Sequence, residues 1–410
     1  SQKRRWLFGG VAILLLPLFI FKYLNPINQA ISGMLEAFSI QFSFPDQPYL
    51  APLGISFFTF VAIGYVVDIY REYIEPETRI HRFALFLAFF PTILAGPIER
   101  AKSLLNQINN PVSFEYENIR AGFQLILWGV FKKVVIADRI SDLVQKIYAQ
   151  PENFPGLIIY FAIVLSIFRV FCDFSGYSDI AVGSARIFGI NVSKNFDDRV
   201  YASTSLLKFW QGWHISLTSW IRDYVFFPLS KNVKSRGQIF LVLVFVFVLL
   251  GIWHGLTWGF VIWGFLHGLF VVLERVTKFG RHQAWPRIGL DPSGKIPNFV
   301  SWVFTFHIWS FIGLFFLAQT PGKVANILSG IANSNANLLS RPELKSMAIT
   351  FALIFGMDLI NRLIPKNKNF DSFIGKQHVL VRWVIYVALA ELILRYILVF
   401  KDAGFLYLRF

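Results

Sequence analysis

The chain has 410 residues, of which 55% are hydrophobic and 18% aromatic, and its mean hydropathy is positive at +0.54. This composition excludes an ordinary water-soluble domain and predicts that most of the chain lies in a lipid bilayer. The formal net charge is +15, but the Lys and Arg residues flank apolar runs, which favours membrane lipid over nucleic acid as the partner. With Cys172 as the one cysteine, a disulfide framework and a Cys-based metal site are excluded.

Nine apolar stretches are long enough, or nearly so, to cross a bilayer, because a spanning helix needs about 20 mostly apolar residues. They lie at residues 6–24, 52–69, 121–137, 156–172, 238–254, 257–273, 298–318, 346–360 and 383–400. The shorter stretch 83–98 contains two prolines, which predicts a broken or re-entrant helix. The polar insert 279–297 is predicted to be a surface loop. The fold class is therefore all-α, a polytopic transmembrane protein, and residues 1–410 are predicted to form a single integral membrane domain.

The distribution of basic residues predicts the side of the membrane on which each loop lies. Residues 25–51 contain no Lys or Arg, whereas basic residues precede the first span and follow the second. Because cytoplasmic loops are enriched in Lys and Arg, 25–51 is predicted to be an outer loop. By the same rule, 191–236 and 362–382 lie on the inner side.

The segment CDFSGYSDIAVG, residues 172–183, places Asp173, Tyr177 and Asp179 in an otherwise apolar region. Carboxylates at membrane depth can orient a histidine or line a water-filled cavity. Structural pairing of these carboxylates with Arg169 or Arg186 explains them equally well.

The segment KFWQGWHISLTSWIRDYVFFPL, residues 208–229, is predicted to be one amphipathic helix. Its polar side chains share one helical face, namely Gln211, His214, Thr218 and Arg222. Its apolar and aromatic side chains form the neighbouring stripe, namely Trp210, Trp213, Leu217, Trp220 and Tyr224. Such a helix fits the membrane interface, with its tryptophans at the lipid headgroups. The presence of His214 on the polar face indicates a functional role for the segment equally well.

His254 follows the apolar run FLVLVFVFVLLGIW, in which no neighbouring side chain satisfies an imidazole. An ionisable residue at membrane depth is a candidate functional residue, and the flanking Gly251 and Gly255 allow backbone or substrate to approach closely. A catalytic or ligand-facing histidine is the favoured interpretation, and a hydrogen-bonded structural histidine is the alternative. His267 and His307 lack neighbouring polar residues in the sequence and are interpreted as packing or lining residues.

The sequence contains no GxxxxGK[ST], HExxH or GxSxG motif. This argues against an ATP-driven pump, a zinc protease and a standard serine hydrolase.

Several ordered motifs together closely resemble the membrane-bound O-acyltransferase family. They are CDFSGYSDIAVGSARIFGI, FWQGWHISLTSWIRDYVFFPL and GIWHGLTWGFVIWGFLHGL, with LGISFFTFVAIGYVVDIYR, LAFFPTILAGPIER, GVFKKVVIADRI and the terminal GFLYLRF. Within the family, the chain is most similar to the alginate and peptidoglycan O-acetylation proteins, and the teichoic-acid D-alanylation protein is a near relative. The segment SKNVKSRGQ at 230–238 departs from the Gly-Gly-Asn turn found in many polysaccharide acetylases.

The resemblance implies an acyltransferase in which the WHG and WHIS motifs carry the characteristic histidines. These are His254, predicted to be the general base, and His214, which with Trp253 is a candidate to stabilise the oxyanion. The candidate donor-binding residues are Arg222, Trp213, Trp253, Asp173 and Tyr177. The predicted topology puts the two histidines at opposite ends of one tunnel.

The resemblance also implies an acyl thioester donor, such as acetyl-CoA, and no metal. The expected partners are a polysaccharide acceptor or an extracytoplasmic acetyltransferase protein, and the expected location is the bacterial cytoplasmic membrane. Because members of this branch usually carry further N-terminal helices, the chain resembles one that lacks them.

Three alternatives remain open on the sequence. Within the family, the chain is a D-alanyl transferase acting on teichoic acid, or a conduit that passes an acyl group to a partner enzyme. Outside the family, it is a transporter or channel with a histidine proton relay.

Overall fold

The computed structural model describes residues 2–40, 52–110, 113–333, 342–365 and 368–399. The described residues form α-helices joined by short turns and by π-helical segments, and they contain no strand. The predicted all-α class is therefore confirmed. The terminal GFLYLRF motif and residues 41–51 of the predicted outer loop lie outside the described residues.

The N-terminal region is a long, mostly exposed helical run. It consists of α1 (Gln2–Leu18), a π-helical segment (Phe19–Tyr23) and α2 (Leu24–Ala37). The prediction of a loop over 25–51 is wrong for the part that α2 covers. Pro26 lies in the first turn of α2, where proline is tolerated, and apolar residues then recur at helical spacing.

The predicted break within 83–98 is confirmed. After α3 (Ile55–Tyr70), α4 (Ile80–Leu87) ends before the prolines, and the one-turn helix α5 (Phe90–Ile93) has Pro91 near its start. Proline cannot continue the hydrogen-bond ladder of a preceding helix, which explains the interruption.

The centre of the molecule is built on α9 (Gly156–Ile187), which packs along α7 (Tyr116–Val130). A Cβ added at Gly122 would lie 2.6 Å from the carbonyl oxygen of Gly183, so small residues are required where the two helices cross. The remaining elements of this region are α6 (Ala101–Asn109), a π-helical segment (Phe131–Ala137) and α8 (Asp138–Ala149).

The predicted continuous helix over 208–229 is wrong, because the chain breaks at Trp213 and His214. The segment folds as α10 (Leu206–Gly212), α11 (Ile215–Ile221), a π-helical segment (Arg222–Phe226) and α12 (Phe227–Ser230). At the break, the amide of Ile215 donates to the carbonyl of Asn195 at 2.9 Å, and the carbonyl of Gly212 accepts from Asp197 at 2.8 Å. These tertiary hydrogen bonds replace the intrahelical ones. Trp210, Trp213 and Trp220 are buried, which contradicts the prediction that they mark the lipid headgroups.

The C-terminal half continues with a series of helices that pack around this region. They are α13 (Arg236–His254), α14 (Trp258–Arg287), α15 (Lys295–Ala318), α16 (Pro321–Asn333), α17 (Pro342–Leu363), α18 (Phe370–Ile374) and α19 (Val379–Ile397). The surface loop predicted at 279–297 is wrong, because α14 continues to Arg287 and α15 begins at Lys295. Pro286 does not interrupt α14 earlier, since it lies in the last turn.

Five helical runs among the described residues are long and apolar enough to cross a membrane. They are Gln2–Ala37, Gly156–Ile187, Arg236–His254, Trp258–Arg287 and Lys295–Ala318. The other four predicted spans are also helical where described, but their helices are shorter or carry more charged residues.

Candidate active site

A narrow cavity lies inside the bundle, between α9, α10, α13, α14 and α15. Among the described residues, its wall contains three histidines (His214, His254 and His267) and four tryptophans. About 40 Å³ of the cavity is open to the centres of water molecules, which is room for a few waters. The cavity is thus mostly aromatic, and its histidines are the titratable side chains that line it.

His214 occupies a strained turn between α10 and α11. Its backbone is left-handed, with φ 43° and ψ 56°, a conformation that costs a non-glycine residue about 1–3 kcal/mol. The side-chain oxygen of Asn195 accepts from the Ser216 amide at 3.2 Å and from the Ser216 hydroxyl at 2.8 Å, and it lies 3.1 Å from His214 Nδ1. This local network holds the turn.

The same contacts determine which nitrogen of His214 carries the proton. Because Asn195 Oδ1 is an acceptor, His214 Nδ1 donates to it, and Nε2 holds the lone pair of the neutral ring. Burial lowers the pKa of His214 to about 3, so the ring is neutral at pH 7. Nε2 of His214 is therefore a hydrogen-bond acceptor.

His254 ends α13 in an aromatic enclosure. Its ring centroid lies 4.5 Å from that of Trp253, 4.9 Å from Phe316 and 5.3 Å from Trp263. A Cβ at Gly251 would overlap the backbone carbonyl of Phe260, so this glycine allows α13 to approach α14 closely beside the histidine.

The last turn of α13 is also anchored from the N-terminal helices. The Tyr23 hydroxyl lies 3.3 Å from the carbonyl oxygens of both Ile252 and Trp253. Helix C-termini leave carbonyls without intrahelical partners, and Tyr23 supplies a donor to two of them. The contact fixes the backbone immediately before His254.

His214 and His254 line one cavity, which corrects the expectation that they serve opposite ends of a tunnel. Phe57 connects their surroundings, because its ring lies 6.1 Å from that of His214 and 6.4 Å from that of Trp253. The topology argument put His214 in an inner loop, whereas the structure buries His214 inside the bundle, at the cavity that His254 also lines.

His267, which the sequence analysis interpreted as a packing or lining residue, is a third histidine of the cavity. It is fully buried on α14, and its Nδ1 accepts from Trp210 Nε1 at 3.3 Å. The signal in the sequence was the i, i+4 spacing of Trp263 and His267, which places both on one face of a helix. His307, by contrast, is exposed and bonds to Tyr160 at 2.8 Å.

The other predicted site residues divide between the cavity and its surroundings. Trp213 lines the cavity, and Trp253 is buried against His254, with no hydrogen-bond partner for its indole nitrogen in the described structure. Arg222 lies outside the cavity, where it is exposed and pairs with Asp223 at 2.8 Å.

Arg222 lines a second, more open cavity next to the first. About 430 Å³ of this second cavity is open to the centres of water molecules, and Arg275 also lines it. The two cavities share Trp210, Leu217 and Leu250 as a common wall. Arg222 thus lines the cavity next to the histidine cavity.

Asp173 and Tyr177 do not line the histidine cavity. Asp173 Oδ1 accepts from Lys133 Nζ at 2.7 Å, and the same ammonium lies 2.6 Å from Asp138. Tyr177 is half-buried one turn further along α9. The interpretation of Asp173 as a structural ion pair is closer to the structure, with lysine rather than arginine as the hydrogen-bonded partner.

Asp173 nevertheless lies next in the chain to a residue that contacts His214. The rings of its neighbour Phe174 and of His214 make an edge-to-face contact, with 4.7 Å between their centroids. Lys132 forms a second ion pair between the same two elements, with Asp179 at 2.7 Å. These pairs hold α9 against the π-helical segment Phe131–Ala137 and so hold Phe174 against His214.

The part of the chain that contains the cavity matches a known protein family. A model of the membrane-bound O-acyltransferase family matches residues 50–319, a range that includes all three cavity histidines. Among the described residues, no group of three or more His, Cys, Asp and Glu side chains is placed to hold a metal ion.

Individual relatives are named for the polymers that they modify. A probable alginate O-acetylase of Azotobacter vinelandii is 33% identical over 75% of this chain and 58% of its own length. A peptidoglycan O-acetyltransferase of Helicobacter pylori is 28% identical over 82% of this chain and 66% of its own length. A teichoic acid D-alanyltransferase of Bacillus subtilis is 28% identical over 76% of this chain and 78% of its own length. The chain spans a little over half the length of the alginate O-acetylases that it matches.

Proposed function

This chain belongs to the membrane-bound O-acyltransferase family, and on that premise we propose that it is a membrane-embedded O-acyltransferase. It transfers an acyl group, which we take to be acetyl, from a thioester donor to a hydroxyl group of an exported or cell-surface polysaccharide. The observation that carries the proposal is the enclosure of His214 and His254 in one aromatic cavity.

The cavity supplies what acyl transfer to an alcohol requires. An alcohol is a weak nucleophile at neutral pH and needs a base that removes its proton as the C–O bond forms. We assign this role to His254, while His214 Nε2 accepts a hydrogen bond from a neighbouring hydroxyl of the acceptor and so orients it. The C–S bond of the donor then breaks, and the proton held by the histidine passes to the thiolate.

The tautomer of His214 revises its predicted role in stabilising the oxyanion. A neutral ring that donates through Nδ1 to Asn195 has no second N–H with which to bind negative charge. Trp253 remains a candidate to stabilise the oxyanion, because its indole nitrogen is a buried donor. Trp213 is proposed to line the acyl path, whereas Asp173 and Tyr177 act through the position of α9.

The second cavity is proposed to receive the polar end of the donor. Arg222 and Arg275 line it, and guanidinium groups suit the phosphates of acetyl-CoA or of a carrier-bound phosphopantetheine. Because the two cavities are adjacent, a thioester arm that passes between the side chains of their common wall would reach His254 while the phosphates stay with the arginines. The proposed location is a bacterial cytoplasmic membrane, with residues 1–410 as one membrane domain.

The acceptor and the acyl group follow the named activities of the relatives. The O-acetylases of alginate and peptidoglycan favour an acetyl group and a polysaccharide, reached directly or through an extracytoplasmic partner protein. The D-alanyltransferases of teichoic acid supply the second candidate, D-alanyl transfer.

The test compares the surface polysaccharides of cells with and without this chain. Mild alkali releases ester-linked acids from the purified polymers, and mass spectrometry identifies them. Chain-dependent release of acetate is the expected result, and chain-dependent release of D-alanine would select the second candidate. Absence of any chain-dependent ester would overturn the proposal and favour a transporter with a histidine relay.

A further inference from the structure

His267 has one nitrogen whose role is fixed by a tryptophan. The indole nitrogen of Trp210 can only donate a hydrogen bond, and it lies 3.3 Å from His267 Nδ1. Nδ1 must therefore carry a lone pair, and a doubly protonated ring is incompatible with this contact. The proton of the neutral ring lies on Nε2.

The N–H at Nε2 of His267 is a buried donor without a hydrogen-bond acceptor among the described residues. The side chain is 0% exposed, and its Nε2 has no hydrogen-bond partner in the part of the chain that the structure describes. Leaving a buried donor unsatisfied costs free energy, so such groups call for an explanation. His267 also lines the histidine cavity, where a bound molecule can supply the missing acceptor.

The surroundings of His267 make that donor strong. Its ring packs against Trp263, with 4.9 Å between the centroids, and against Trp210 at 5.0 Å. An aromatic, water-poor environment strengthens a hydrogen bond to developing negative charge, and a donor that is already fixed needs no reorganisation during the reaction.

His267 and His214 are complementary in this respect. Asn195 holds His214 with its lone pair on Nε2, whereas Trp210 holds His267 with its proton on Nε2. One cavity thus contains an imidazole that accepts and an imidazole that donates.

We propose that Nε2–H of His267 donates to the carbonyl oxygen of the acyl group bound in the cavity and stabilises the negative charge on that oxygen. This inference rests on the proposed acyl transfer. When the hydroxyl oxygen bonds to the acyl carbon, the carbonyl electron pair moves onto the oxygen that His267 binds. When the C–S bond breaks, the carbonyl re-forms and the thiolate receives the proton held by the base. His267 keeps its own proton throughout.

The test compares two replacements of His267 in cells at equal membrane levels. His267→Phe keeps a flat ring and removes the donor, and polymer ester should fall about 10²–10³-fold, the usual effect of losing one such donor. His267→Gln places an amide N–H near the position of Nε2 and should retain ester within about 10-fold of wild type. His307→Phe, an exposed histidine outside the cavity, is the matched control and should leave ester unchanged.

Each outcome separates the donor role from a role in packing. Full retention of ester in His267→Phe would overturn the inference. Equal loss in both variants would also overturn it, because packing rather than the N–H would then matter. If wild-type cells show no chain-dependent ester, the proposed acyl transfer itself fails, a result distinct from either of these.

A second measurement does not depend on activity. Solid-state NMR of wild-type protein labelled with ¹⁵N-histidine, in lipid bilayers, reports which ring nitrogen is protonated, and the His267 signals are assigned by their absence in His267→Gln. The inference requires the proton on Nε2. A proton on Nδ1, or on both nitrogens, would overturn it even where activity is lost in His267→Phe.

Discussion

Asn195 is the residue on which the chemistry of His214 depends. Its side-chain oxygen accepts from the amide and the hydroxyl of Ser216 and from His214 Nδ1. The same contacts hold His214 in its left-handed backbone conformation, which isolated residues avoid. One amide side chain therefore determines both the position and the tautomer of the histidine.

Replacing Asn195 tests this arrangement. Asn195→Leu leaves three donors without their acceptor, and unsatisfied buried groups cost about 1–3 kcal/mol each. We expect transfer to fall about 10-fold or more, because His214 then loses its position, and a misplaced positioning group can cost about 10²-fold. Asn195→Asp keeps an acceptor and should retain more activity than Asn195→Leu at equal membrane level. Equal activities of the two variants in the polymer-ester assay would contradict the role of Asn195.

The buried state of His214 predicts an acid-sensitive fold. Burial lowers its pKa from 6.5 to about 3, so the unfolded chain binds a proton more readily than the folded chain between these pH values. The stability from this group is present above about pH 6.5 and is lost as the pH falls towards 3, by up to about 1.4 kcal/mol per pH unit.

Melting curves in detergent between pH 7 and pH 5 check the direction of this pH dependence of stability. The melting temperature of wild type should fall with decreasing pH. His214→Phe lacks this titration and should show a shallower fall. Parallel slopes for the two proteins would mean that His214 is not held neutral by burial.

At the scale of elements, the contact between α9 and the π-helical segment Phe131–Ala137 depends on buried charges. Lys133 bonds to Asp138 and Asp173, and these side chains are only 7%, 7% and 4% exposed. Removing one partner of a buried ion pair leaves an uncompensated charge, which costs about 3–5 kcal/mol. The charges thus hold α9 in the register that brings Phe174 to His214.

We therefore expect Lys133→Met to lower the thermal stability of the purified protein strongly. Lys3→Met is the matched control, because Lys3 pairs with Glu72 on the surface, where both side chains are more than three-quarters exposed. Exposed pairs are worth about 0–1 kcal/mol, so the control should melt close to wild type. The triple variant Lys133→Met, Asp138→Asn, Asp173→Asn should recover part of the loss. Equal melting of Lys133→Met and Lys3→Met would contradict the structural role.

The elements differed in how far the sequence could predict them. The long apolar runs predicted the positions of the helices, because a backbone segment buried in lipid or protein must satisfy its own hydrogen bonds, as a helix does. The break at His214 escaped prediction because hydrogen bonds to Asn195 and Asp197 override a strong helical period. The hydrogen bond of His267 could not be predicted for a similar reason, since its partner Trp210 lies 57 residues away in the sequence.

At the scale of the whole molecule, large apolar side chains are exposed over much of the described surface. The buried charged side chains of the described residues occur in a few clusters. Its net charge of +15 is carried by residues that flank the apolar helices. The positive-inside rule predicts that the basic end of α14 faces the cytoplasm and that the turn after α15 faces outward. The His254 end of α13 would then lie towards the outer side.

Cysteine labelling in spheroplasts checks this orientation. Thr320→Cys should react with a membrane-impermeant maleimide added outside, whereas Lys278→Cys should react only after permeabilisation. Both positions are exposed, and the native Cys172 is fully buried, which keeps background labelling low. The reverse pattern would invert the topology and place the proposed donor cavity on the outer side.

The central claim is that acyl transfer takes place at the histidine cavity. The most direct test measures polymer-linked ester in cells that carry wild type, His254→Ala, His214→Ala or the exposed control His307→Ala at equal membrane levels. We predict that ester is lost in His254→Ala, strongly reduced in His214→Ala and unchanged in His307→Ala. Full retention of ester in His254→Ala would contradict the catalytic assignment of the cavity.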